Sequence, residues 1–448
     1  MKHLFITLCL FIISAQGADS VQSWFEEGSV KGNIKYYFIE TKKDKADGTS
    51  TSAHAHSVGG QLNYTTGTWN GFETGATFMT TNGFALPGSV DASILGRDNG
   101  VRLEGNPSGK IAQESFSVLG EAFVKYKYKG FNALYGRKVL KTPLIDAKDV
   151  RMLPSAVQGA FVNYKMEYGT EVGVFYLTHI KQRTSDQFIN IVKHALGDNT
   201  RLITGDDKGE VVVLGGEYKS DSAQVKFYDY YADNFMNSIY LDASFKNKLS
   251  SGYSYVAGLE YIHQASVGKA DDNLAANPSI AGGEIDVNAF ALKMGMGYSE
   301  SKFELAVSKV MKNSDKHDSL VLPWDGTPLY TNTITSNDLF QSNYGNALTA
   351  DSVYIGGSQA LKLSYTQKYD FTGVKGFKTV LAYLNLNNDK FIDRQEDLNA
   401  VVAYNVGNFS LALKGIWVKN NTSANADGSI KPQDDTFTQY RVIANYAF

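Results

Sequence analysis

The chain reads as an all-β protein, a transmembrane antiparallel β-barrel of about 18 strands with short periplasmic turns and long extracellular loops. Three observations carry that reading. Segments with a period of two recur from end to end, as in "SVKGNIKYYF", where Val30, Gly32, Ile34, Tyr36 and Phe38 alternate with Lys31, Asn33, Lys35 and Tyr37. The connections between these segments alternate between long and short, as expected when successive antiparallel strands turn at two chemically different ends. All 8 prolines, at 87, 107, 143, 154, 278, 323, 328 and 432, fall in the long connections. A proline within a strand would delete a ladder hydrogen bond where lipid offers no water to replace it.

The first residues, "MKHLFITLCLFIISAQGADS", place Lys2 before an apolar run from Leu4 to Ile13 and small residues at Ala15 and Gly17. This is the pattern of a secretory leader, expected over residues 1–17 and leaving one barrel domain over 18–448. The 1 cysteine, Cys9, lies inside that leader, so the exported chain is expected to hold neither disulfides nor thiolate metal sites. No later stretch approaches the roughly 20 apolar residues of a spanning helix. An exported chain is then either soluble or spans a membrane as a closed barrel, the architecture that satisfies its own backbone in lipid. The formal net charge of −3 gives no reason to expect a nucleic-acid partner.

Taken in order, strand "SVKGNIKYYFIE" meets a polar loop "TKKDKADGTSTSAHAH", and "SVGGQLNYT" returns to the turn "TGTWNG". "FETGATFMT" runs to a long loop from Thr81 to about Ser115, and "FSVLGEAFVKYKY" returns to a two-residue turn at Lys129 and Gly130. "FNALYGR" enters the loop of about 138–158, and "GAFVNYKM" returns to "EYGT". "EVGVFYLTHI" and "EVVVLGGEY" flank a loop over 181–209. "QVKFYDYY" and "SIYLDASF" flank "ADNFMN", the one outer connection expected to be short. "YSYVAGLEYIHQ" and "IDVNAFALKMGMGYS" flank 268–284, and "FELAVSKVM" and "ALKLSYTQKY" enclose the longest loop, about 312–357. "FKTVLAYLNLN", "LNAVVAYNVG", "FSLALKGIWVK" and "TFTQYRVIANYAF" complete the count. With 27 Tyr and 25 Phe in the chain, tyrosines crowd the ends of the apolar faces like an interfacial girdle. In the final strand Tyr440, Val442, Ala444, Tyr446 and Phe448 form that face, and Phe448 is the expected signal to the barrel-assembly machinery.

If apolar faces meet outer-membrane lipid, the alternate faces line a lumen. In the fourth strand this assigns Val118, Ala122, Val124, Tyr126 and Tyr128 to lipid and Glu121, Phe123, Lys125 and Lys127 to the interior. The predicted lining is Lys31, Lys35, Lys125, Lys127, Arg137, Lys165, Lys293, Lys362, Lys414 and Arg441, with Glu121 the main acid. Fixed positive charge in a narrow pore draws anions. The loop "KVLKTPLIDAKDVRMLPSAVQ" carries Asp146, Asp149 and Arg151 among Leu144, Ile145, Met152 and Leu153, too many apolar residues for a segment left in water. It is expected to fold inward as a constriction.

Catalysis finds no motif: Gly-x-Ser-x-Gly, His-Glu-x-x-His and phosphate-cradling loops are absent. His54 and His56 are expected in solvent within a Ser/Thr-rich loop. Acidic loops such as "NNDKFIDRQED" lack the ligand spacing and central glycine of a calcium-binding hand. No enzyme, cofactor or metal is expected. A barrel enzyme would need a nucleophile and base on adjacent outer strands. The alternative, a closed-lumen barrel acting as a surface binding or adhesion protein, would need charge-paired plugging or a large N-terminal plug domain, with only about a dozen residues between Gly17 and the first strand. The long loops, above all 312–357, keep a surface-binding role open beside transport.

The segments "GEAFVKYKY", "LYGRKVLKTPLIDAKDVRMLPSAVQGA", "YDYYADNF" and "LAYLN" resemble those of the OprD-type outer-membrane porins of Gram-negative bacteria, across nearly the full exported chain. The most specific part is Gly136-Arg137 followed by Thr142-Pro143-Leu144 and Arg151-Met152-Leu153-Pro154. The resemblance implies an 18-stranded barrel in the outer membrane with a third outer loop folded inward; either a monomer or a trimer is expected. It also implies a ladder of basic side chains guiding small hydrophilic solutes, often carboxylate-bearing. Arg137 and Arg151 match the motif's arginines.

Overall fold

A computed structural model of the chain describes residues 18, 20–86, 90–102, 111–147, 150–313, 315–334, 341–344, 348–388, 392–422 and 433–448. Eighteen strands make the barrel wall. They are β1 (Ser29–Asp44), β2 (Ser50–Thr65), β3 (Phe72–Gly83), β4 (Phe116–Tyr128), β5 (Phe131–Lys138), β6 (Ala156–Lys165), β7 (Thr170–Lys181), β8 (Val211–Lys219) and β9 (Ala223–Ala232). The second half is β10 (Met236–Lys248), β11 (Tyr253–Ser266), β12 (Asp286–Tyr298), β13 (Ser301–Val310), β14 (Ser358–Lys368), β15 (Phe377–Asn388), β16 (Ile392–Val406), β17 (Phe409–Thr422) and β18 (Gln433–Ala447). Each pairs antiparallel with its neighbours in sequence, and β18 pairs with β1 from Asn33↔Ala447 to Asp44↔Thr436. That last ladder leaves no open edge, which is what a sheet in lipid requires. A two-residue strand, Ile189–Asn190, adds to the end of β7.

The expected two-residue turn at Lys129-Gly130 forms, with Lys129 at φ 50°, as the right-handed twist of a tight hairpin demands. The outward face is apolar: Val30 is 61% exposed, Tyr135 70% and Met294 62%. Phe448 continues that face beside Tyr446, its backbone exchanging two hydrogen bonds of 2.9 Å with Gly32.

Several local expectations change. The polar stretch 41–56 is mostly strand, because β1 and β2 continue to a turn over 45–49. His54 and His56 therefore sit on β2. His56 is buried with Nδ1 3.3 Å from Asp91 Oδ1, and His54 Nε2 lies 3.6 Å from the same oxygen, tying the second outer loop to the strand end. Short helices occupy outer connections, Ile191–Leu196, Thr200–Thr204 and Lys269–Ala276. In β4 the register slips: Thr77 pairs with Glu121 but Phe78 with Leu119. The bulge at Gly120 reverses the faces above it, so Val118 is buried inside and Leu119 meets lipid. A Cβ at Gly120 would lie 2.4 Å from Met79 Sδ, which is why glycine holds that position.

Candidate functional site: the lumen and its inward loops

The inner wall changes character along its length. On the extracellular half, Phe161, Phe175, Leu177, Val211, Val213, Ile262 and Val287 point inward and are buried. They pack against two loops that fold into the barrel. The first, over 139–155, contributes Leu140, Leu144 and Ile145 to this cluster. Its Met152 and Leu153 join a second cluster with Tyr37, Met79, Leu95 and Val118. The second inward loop lies within the long 312–357 connection, expected outside the barrel but carrying Leu320, Val321, Trp324 and Leu329 into the core. Apolar side chains in a loop of this size find no other dry surface.

The two loops brace each other. Asp146 N donates to Trp324 O (3.1 Å), and the Trp324 indole donates to Ile191 O (3.1 Å). A Cβ at Gly326 would stand 2.5 Å from Leu144 Cα, so only glycine allows this close approach. Asp325 joins three segments: it accepts from Ser155 Oγ (2.5 Å) and pairs with Arg183 (2.8 Å), while its backbone bridges to Ile145. Replacing Asp325 with alanine strips both partners of a nearly buried carboxylate and is expected to cost about 1–3 kcal/mol. Limited proteolysis should then cut residues 139–155 faster than in the native protein, and equal cutting rates would contradict the bracing role.

Below these loops, toward the periplasm, the wall turns polar and encloses three adjoining cavities. The largest, about 640 Å³, is bordered by Lys35, Lys378 and Lys414 on the wall and by Lys141 and Asp146 from the first inward loop. A second, about 410 Å³, sets Lys141, Lys226 and Lys293 opposite Asp146, Glu217, Asp242 and Glu260. The third, also about 410 Å³, is bordered by Lys138, Lys141, Glu171 and Glu217. Lys141 reaches all three. Tyr330 hydrogen-bonds Asp242, and burial followed by that bond pushes its phenol above the ordinary range, keeping it a proton donor at neutral pH.

The expected lining residues fall into distinct places. Lys31, Lys35, Lys165, Lys293, Lys362, Lys414 and Arg441 lie on the inward face. Lys165 stands opposite Glu171 at the periplasmic mouth. Lys293 sits 3.9 Å over the Tyr330 ring, and Lys362 donates to Asn332 O (2.7 Å). Lys414 and Arg441 are register partners, and buried Arg441 donates to Gln439 (2.6 Å). Lys125 and Lys127 converge on one carboxylate, Glu73, the Lys127 pair at 2.8 Å, so together they add about one charge rather than two.

Arg137 is corrected. Val124↔Tyr135 and Ala122↔Arg137 put Arg137 on the lipid-side face with exposed Tyr135, while its neighbour Lys138 points inward over Phe161 at 5.9 Å. In the constriction loop Asp146 borders the lumen, Arg151 is half-buried and donates to Val150 O (2.9 Å), and Asp149 lies outside the described residues. The lining holds more acids than expected, since Glu73, Glu217, Asp242, Glu260 and Asp397 face inward as well as Glu121. Sequence reasoning missed Lys138, Lys141, Lys226 and Lys378. Lys226 and Lys378 continue a period of two through Tyr228 and Val380, but those partners are apolar and disguise an inner face.

A closed antiparallel barrel of 18 strands, apolar outside and narrowed by loops folded into a polar lumen, defines the class of outer-membrane porins. The chain belongs to the OprD family of outer membrane porins, whose family model matches residues 22–448. Solved structures of similar fold include Pseudomonas aeruginosa OccK9 (OpdG), 16% identical with a TM-score of 0.71, covering 95% of this chain and 99% of that one. Acinetobacter baumannii OccAB1 is 15% identical with a TM-score of 0.69, covering 95% and 98%. Pseudomonas aeruginosa OpdK, solved with vanillate, is 15% identical with a TM-score of 0.65, covering 95% and 99%. Nothing matches among the curated proteins.

Proposed function

We propose that this porin passes small hydrophilic solutes bearing a carboxylate, by diffusion, and that fixed cations below the inward loops select them. One observation carries the reading: Lys35, Lys378 and Lys414 border the same cavity of about 640 Å³ that Lys141 enters from the constriction loop. In water each unit charge contributes on the order of 0.5–1 kcal/mol to an anion a few ångströms away, and low-dielectric walls raise that value. The acidic side chains of the adjoining chamber, Glu217, Asp242 and Glu260, oppose a second negative charge, so a monocarboxylate suits the path better than a dianion. Vanillate, present in the OpdK structure, is a solute of this class.

Proteoliposomes containing the refolded protein test the reading directly. A hydroxybenzoate should enter faster than its amide of the same size. Equal entry rates would contradict carboxylate selection while leaving the porin itself intact.

A further inference from the structure

The outward turn of Arg137 leaves a guanidinium on the lipid side of the wall. It lies at the extracellular end of β5, two residues beyond Tyr135, with Gln158 and His179 beside it in register on β6 and β7. Inward Ile180 and Val157, both buried, place His179 and Gln158 on the outward face between them. Arg137 Nε donates to Gln158 Oε1 (3.1 Å), an Nη donates to Leu119 O (3.4 Å), and the guanidinium stacks on Phe188 with Cζ 4.2 Å from the ring centroid. Each of these partners is neutral. Among the described residues no carboxylate pairs with Arg137, and its remaining N–H donors point to no protein acceptor.

An uncompensated charge on the lipid face of a barrel is destabilising at membrane depth and tolerable where headgroups begin. The wall shows that boundary here: Tyr135, Tyr176 and Leu119 are exposed and apolar, and the next outward row is Arg137, Gln158 and His179. Planar guanidinium groups bind phosphate through paired N–H donors, and a charged row at this depth faces the headgroups of the outer leaflet. We propose that Arg137, with Gln158 and His179, forms a headgroup site for a phosphorylated lipid of the outer leaflet. Phe188 holds the guanidinium flat and the apolar row below receives the acyl chains. This rests on the placement of the barrel in the outer membrane and is independent of which solute the lumen prefers.

Native mass spectrometry of the detergent-extracted protein, titrated with a diphosphorylated glycolipid, tests it. The wild type should retain the lipid. Arg137→Gln should weaken retention about tenfold, the loss expected for one or two charge-assisted hydrogen bonds. Arg137→Lys should recover part of it, and His179→Gln should show a smaller loss. Arg137→Gln should also leave the reversal potential of the channel unchanged. Equal retention by Arg137→Gln and wild type would overturn the site. So would equal binding of the dephosphorylated glycolipid, competition by inorganic phosphate alone at equal concentration, or a changed reversal potential in Arg137→Gln.

Discussion

Changing Lys35, Lys378 and Lys414 to glutamine together is expected to remove most of the preference for carboxylates. The three residues line one cavity, so their fields add within it. At on the order of 0.5–1 kcal/mol per charge in water, the triple substitution should lower local anion occupancy by about 10- to 100-fold. The readout is the rate at which added carboxylate interrupts single-channel current. The on-rate should fall most at low ionic strength, because salt screens steering. Glutamine keeps most of the side-chain volume, so the entry rate of a neutral solute of the same size should change little. An unchanged interruption rate would move the selecting charge elsewhere, with Lys141 the next residue to test.

Replacing Trp324 with alanine is expected to open the channel. Trp324 is 1% exposed, fills the contact between the two inward loops and donates to Ile191 O. Truncating a buried tryptophan costs about 3–5 kcal/mol when the surroundings cannot collapse. The wall is closed by eighteen ladders that do not involve Trp324, so the cost falls on the loops and the barrel survives. Conductance should rise and become noisy, and protease should reach residues 139–155. Trp324→Phe should keep the pore narrow while losing about 1 kcal/mol for the missing N–H donor. Unchanged conductance in the alanine variant would mean that these loops do not set the narrowest section.

The barrel was legible in the sequence because its outward face obeys one rule along the whole wall. Val30, Ile34, Leu62, Val124, Met294, Leu381 and Tyr446 all repeat at a period of two and all meet lipid. The inner face obeys two rules. Below the loops Lys35, Glu121 and Lys414 are polar, while above them Leu177, Val211, Val213 and Leu384 are as apolar as the outside. Segments such as "EVVVLGG" therefore lose their alternation where the wall packs on loops that arrive from far along the chain. The inward turn of 139–155 could be read from its leucines and isoleucine. The partnership with Trp324 could not, since it joins residues some 180 apart with no local signal. Bulges are the other blind spot: Gly120 moves Val118 from lipid to core. Arg137 followed the motif rather than the ladder, and the register beside exposed Tyr135 decides its face.

We propose that fixed lysine charge below the inward loops makes this porin prefer anions. The most direct test is the reversal potential of single refolded channels in a planar bilayer under a salt gradient. A potential of the sign set by anion permeation, shrinking toward zero in the Lys35, Lys378 and Lys414 triple variant, is the predicted result. A cation-selective potential in the wild type would contradict the claim and transfer control of the lumen to Glu217, Asp242 and Glu260.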